Sequence, residues 1–139
     1  MRFESAITIA AGPQRVWEVF SDVERWPEWA ETVTSVALAE PGPLKVGSRA
    51  KIKQPKLRTA VWEVTELVEG EYFVWVSRSP GVRVTGGHWV EATPDGTVAR
   101  STIDQEGPLS PLIARLTGKL TTRYLALEAQ GLKARSERA

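Results

Sequence analysis

The sequence contains no cysteine and only one histidine, His88. Disulfides, thiolate metal sites and cysteine nucleophiles are thereby excluded, and a zinc site has no ligand set to draw on. Also missing is any apolar run near the roughly 20 residues that a membrane-spanning helix needs. The first residues, MRFESAITIA, lack the apolar core and cleavage site of a secretory signal. There is little net charge, only +1, so no overall field selects nucleic acid or an anionic membrane. No P-loop, dinucleotide-type glycine turn, G-x-S-x-G or H-E-x-x-H pattern occurs. The expectation is a single cytoplasmic domain over residues 1–139, without metal or cofactor, nucleic-acid partner or stable membrane insertion.

Two features stand out from an otherwise ordinary globular composition of 42% hydrophobic and 25% charged residues. Six tryptophans accompany only three phenylalanines and two tyrosines. Charge is also unevenly placed. Residues 1–44 hold three basic and seven acidic side chains, whereas residues 45–60 hold six basic ones (Lys45, Arg49, Lys51, Lys53, Lys56, Arg58) and no acidic one. The basic residues alternate with small apolar ones, the signature of a solvated outer strand face that also discourages edge pairing.

Residues 2–10 alternate Phe3, Ser5, Ile7 and Ile9 against polar or small partners, which predicts a half-buried strand. Gly12 breaks it and Pro13 suits the first turn of a helix over 13–20. Ser21 or Asp22 can cap a second short helix through Arg25, with Pro27 forcing a turn at Trp26. Strands are then expected over 32–39, 46–54, 58–68, 71–78, 82–92 and 97–106, separated by Pro and Gly turns. Gly86-Gly87 inside the fifth of these indicates a bulge, a strong bend or a backbone packed against something. The run 107–134 carries the clearest helical period, with Leu109, Leu112, Leu116, Leu120, Tyr124 and Leu127 as one stripe. Ser110 can cap this helix ahead of Pro111, Gly131 can weaken or end it, and the polar tail 132–139 is expected to fray.

Six consecutive strands with short turns form an antiparallel meander, and with the first strand they make seven. Such a sheet must bury one face, and only the long helix is large enough to cover it. The expected architecture is α+β: a seven-stranded curved antiparallel sheet wrapped around a long C-terminal helix, with two short helices between strands 1 and 2.

This order resembles the helix-grip fold of the START-like, or SRPBCC, superfamily over the whole chain. The local marks are Pro13, Val16 and Trp17; Ser21-Asp22 with Trp26-Pro27-Glu28-Trp29; Val46-Gly47-Ser48; Trp62-Glu63-Val64; Phe73-x-Trp75; Gly81; His88; and Asp95-Gly96-Thr97. In this order they are similar to the polyketide cyclase/dehydrase branch. The resemblance implies a central cavity between sheet and helix, while one fold carries many functions.

Candidate site residues follow from the strand and helix faces. His88 is the one side chain whose ordinary pKa lies near neutrality, so it is the candidate general acid/base, against the alternative of a hydrogen-bonded core histidine. Trp62, Trp75 and Phe73 lie on inward positions where they stack on a planar ligand or fill the core. Trp26 and Trp29 are expected near the cavity mouth, as a gate or a cover. Ser77, Ser101 and Gln105 are inward polar groups in need of partners, and Gln54 is a further inward candidate for ligand contact. Leu112, Leu116, Leu120 and Tyr124 belong to the helix stripe, where the neighbouring Thr117, Gly118 and Thr121 are small enough to leave room. Three readings follow: a module binding a small hydrophobic, aromatic or polyketide-like molecule; a cyclase, aromatase or dehydrase acting on one; and a packed domain working through protein partners. A homodimer is compatible with each.

Overall fold

A computed structural model describes residues 2–138. The chain runs β1 (Arg2–Ile9), α1 (Pro13–Ser21), a 3-10 helix (Val23–Glu28), β2 (Ser35–Leu38), β3 (Arg49–Lys53), β4 (Ala60–Val68), β5 (Tyr72–Ser79), β6 (Val82–Thr93), β7 (Gly96–Glu106) and α2 (Ser110–Glu137). The strands form one antiparallel sheet in the order β1-β7-β6-β5-β4-β3-β2. Closing β1 onto β7 leaves β1 and β2 as the edges and places α1 and the 3-10 helix in the crossover between them. The expected α+β architecture is the one found: a curved seven-stranded sheet gripping the C-terminal helix.

Strand period decides the core. Ile9, Val36, Ala50, Ile52, Val64, Phe73, Trp75, Val90 and Ala99 are buried on the concave face, where strand alternation places them. On the convex face Tyr72 stacks on Trp89, with ring centroids 6.2 Å apart. The crossover plugs one end of this concavity. Val16, Trp17 and Phe20 from α1, with Val23 and Trp26 from the 3-10 helix, are buried there. Trp17 anchors the plug by donating its indole N–H to Glu69 across 3.1 Å.

Gly86 and Gly87 produce no bulge. They pair in regular register with Trp75 and Val74 on one side and Ile103 and Thr102 on the other. They are backbone packed against indole rings. A Cβ on Gly86 would lie 3.0 Å from Trp75 Cδ1, and one on Gly87 would lie 2.1 Å from the Trp89 ring on the opposite face. The irregularity lies instead between Val64 and Glu66 of β4. It returns Leu67 to the concave side, opposite Phe73.

Three expectations are corrected. The second short helix does not stop at Arg25; a 3-10 helix runs through Pro27 to Glu28. Ser110 is the first residue of α2 rather than its cap, and Leu109 occupies the cap position. Gly131 does not end α2, and the helix runs to Glu137. The tail is tied down: Arg15 donates to the carbonyls of Arg135 (3.1 Å), Arg138 (3.3 Å) and Ser136 (3.4 Å), and Glu137 accepts the Ala10 amide at 2.7 Å. These bonds satisfy helix-end carbonyls that have no partner within the helix.

The long helix is also rotated from the expected stripe. Leu112 is 52% exposed and Leu116 72% exposed. The buried positions are Ala114, Leu125, Leu132 and Ser136. The inner face follows Ile113, Thr117, Thr121, Tyr124, Leu125 and Glu128, about one residue round from the leucine stripe. A helix that faces a hollow has no dense core to fill, so its largest apolar residues need not mark its inner side.

A cavity closed by Glu128, His88 and Trp26

α2 packs closely against β1, β7 and α1. A cavity of about 570 Å3 lies between the concave side of the sheet and the inner face of α2. Its exposed walls, Leu57, Arg58, Thr59, Val61, Arg78 and Ser79, mark where it opens to solvent. Tyr124 spans from α2 to this loop by donating its hydroxyl to the Pro55 carbonyl. Arg58 and Arg78 belong to no ion pair among the described residues. Elsewhere the basic stretch points outward, with Arg49 paired to Glu63 at 3.3 Å.

Of the residues expected in the site, His88, Trp26, Gln54, Trp62, Trp75, Ser101, Gln105 and Tyr124 share this cavity. Trp62 and Trp75 form a tilted pair, 5.8 Å between ring centroids. Phe73 is completely buried behind the wall, stacked on His88 at 4.1 Å. Leu112, Leu116 and Leu120 are not part of the lining. The two tryptophans expected at the mouth are at the opposite end. Trp26 is buried and packs on Trp75 and His88 at centroid distances of 5.3 and 5.6 Å. Trp29 packs beside Trp26 and borders a separate void of about 10 Å3, together with His88, Ser101 and Glu128.

His88 is enclosed by Phe20, Trp26, Phe73 and Trp75. Its Nδ1 lies 3.3 Å from the Phe73 carbonyl oxygen. That oxygen can only accept, so Nδ1 carries the hydrogen and Nε2 keeps its lone pair. Burial among aromatic rings pushes the imidazole down to about 3, and the Phe73 carbonyl offsets only part of this. His88 is therefore neutral at physiological pH.

The acidic group of the cavity is one that strand-face reasoning did not single out. Glu128, on the inner face of α2, accepts a hydrogen bond from Thr32 Oγ1 at 3.0 Å. Burial pushes its carboxyl up to about 7, with the Thr32 hydroxyl drawing it partly back. The available signal was its position, 16 residues or about 4.5 turns beyond Leu112 but only four residues beyond Tyr124. An acidic residue on a helix reads as solvated by default, which hid it. Among the described residues no group of three or more His, Cys, Asp or Glu could hold a metal ion.

A curved sheet gripping a helix is a fold shared with known proteins, and residues 1–137 match one family throughout. The chain belongs to the polyketide cyclase / dehydrase and lipid transport family. Among solved structures, the Zhui aromatase/cyclase from Streptomyces sp. R1128 superposes with a TM-score of 0.76 at 16% identity, covering 99% of this chain and 94% of that one. The Thermus thermophilus protein TTHA0849 gives a TM-score of 0.77 at 18% identity, covering 98% and 97%. An uncharacterised protein of Mycobacterium tuberculosis is 25% identical over 120 residues, 80% of this chain and 70% of its own length. At these identities the structural likenesses establish the family's fold. No described helix is long and apolar enough to cross a membrane.

Proposed function

We propose that this protein binds a small hydrophobic molecule, aromatic or polyketide-like, in the cavity between its curved sheet and α2. The observation that carries the reading is the cavity itself. About 570 Å3 opens beside an indole pair, Trp62 and Trp75, within the range of sites that bury small ligands of two or three rings. A helix meant only to fill a core would not face this space with Thr117 and Thr121. The ligand is the one partner the reading requires, a homodimer is compatible with it, and the cysteine-free composition suits a cytoplasmic setting. The test is a panel of fused-ring phenols and polyketide-like compounds, read by tryptophan fluorescence and melting temperature. Quenching with a raised melting temperature supports the reading, and an unchanged signal across the panel contradicts it.

A second reading, an enzyme of the cyclase, aromatase or dehydrase type, is favoured by one observation: an ionisable carboxyl, Glu128, faces the cavity. A general acid/base works best with a pKa near the working pH. His88 was the expected group; held neutral, it is the weaker proton exchanger and suits an orienting role better. If turnover of a bound ligand is found, loss in Glu128→Gln with binding retained assigns the proton to Glu128. Loss confined to His88→Ala returns it to His88.

A further inference from the structure

The small void beyond Trp26 is not a packing defect in apolar surroundings. His88, Ser101 and Glu128 border both it and the main cavity, so the two spaces lie on either side of the same side chains. Ser101 and His88 are direct cross-strand partners on β7 and β6, on the same face of the sheet. Trp29 also lines this void, and its indole Nε1 is buried and has no hydrogen-bond partner among the described residues. A buried donor without a partner costs about 1–3 kcal/mol, so native structures keep one only where something else satisfies it.

The polar atoms here differ in what they offer. Trp29 Nε1 can only donate, and His88 Nε2, with its hydrogen committed to Nδ1 by the Phe73 carbonyl, can only accept. Ser101 does either. Glu128 uses Oε1 for Thr32 and has Oε2 to spare. A hydroxyl, with one hydrogen and two lone pairs, complements this set. An ether or a ketone brings no hydrogen, and a hydrocarbon brings neither.

We propose that this inner end of the cavity is an anchoring subsite for a hydroxyl group, so that the protein selects phenolic or enolic ligands over their ether and hydrocarbon counterparts. The hydroxyl oxygen accepts from Trp29 Nε1, and its hydrogen goes to His88 Nε2 or Glu128 Oε2. Without ligand, the void has room for about one water, which the hydroxyl replaces. The aromatic body then lies outward against Trp62 and Trp75. This subsite rests on the binding role proposed above and states what that site recognises.

The test compares naphthalene, 2-methoxynaphthalene and 2-naphthol by tryptophan-fluorescence titration of the full chain. The three share one ring system and differ in the group presented. The expected result is that 2-naphthol binds at least about tenfold tighter than the other two, as sites built to hydrogen-bond a hydroxyl discriminate against analogues lacking it. Ser101→Ala and Glu128→Gln should each narrow that gap several-fold. Glu128→Gln keeps an acceptor for Thr32, and cooperative thermal unfolding at a melting temperature no lower than that of the wild-type protein confirms folding of both variants. If all three compounds bind alike, the subsite is overturned while the binding role stands. If none binds, both are overturned.

Discussion

Thr32 donates its hydroxyl to Glu128 over 3.0 Å, joining the segment after the 3-10 helix to the inner face of α2. Both residues belong to the structure's inner seam, Thr32 being buried. The bond orients a carboxyl that burial has raised to about 7. Between the ordinary carboxylate value and about 7 the folded chain holds a proton there that the unfolded chain has lost. Stability from this group is thus fully present at acid pH and lost as pH rises through about 7. Glu128→Gln should leave the melting temperature near its wild-type value at about pH 4.5 and raise it at about pH 8, on the order of 5 °C. Thermal scans across this range decide it; an unchanged difference at all pH values contradicts the shift.

His88 has the opposite sign. Its folded pKa, about 3, is below its ordinary value, so its contribution is present above about 6.5 and is lost as pH falls toward 3. The ring is expected to stay neutral throughout the range where histidines ordinarily titrate. Its carbon-bound proton resonances should not move between about pH 8 and about pH 5. A titration midpoint near 6.5 would contradict the enclosure by Phe20, Trp26, Phe73 and Trp75.

Two glycines of α2 should respond in opposite directions to alanine. At Gly131 a Cβ would lie 2.1 Å from the Trp29 carbonyl oxygen, a backbone atom with little freedom to retreat. At Gly118 it would rest 3.5 Å from the Phe3 ring, an ordinary contact. Gly118→Ala should stabilise by roughly 0.5–1 kcal/mol, the helix-propensity difference. Gly131→Ala gains the same propensity and should still destabilise by about 1–3 kcal/mol through overpacking. Denaturant unfolding of the two variants measures both signs.

The fold was legible because period-2 and period-3.6 patterns survive wherever a face is buried. Ile9, Ala50, Val64, Phe73, Trp75 and Ala99 occupy the concave side as their alternation demands. On the sheet the lining of the candidate site was legible for the same reason: Trp62, Trp75, His88, Ser101 and Gln105 all reach the cavity. The helix was not. Hydrophobic periodicity finds the side of a helix that excludes water, whereas this inner side borders a hollow and carries Thr117, Thr121 and Glu128. Trp26 and Trp29 were misplaced for a different reason. Their depth depends on how the crossover folds back over the sheet, and on Gly131 letting the Trp29 backbone approach α2, neither of which is a local pattern.

The most direct measurement of the central claim is calorimetric titration of 1,8-dihydroxyanthraquinone into the wild-type protein and into Thr121→Trp. Thr121 faces the cavity from α2, and an indole at that position occupies the space a ligand would need. Saturable binding to the wild-type protein, weakened at least about tenfold in Thr121→Trp at an unchanged melting temperature, is the result expected of a ligand site that tolerates no such filling. Equal affinity for both proteins, or no heat from either, would contradict the cavity as the place where this protein works.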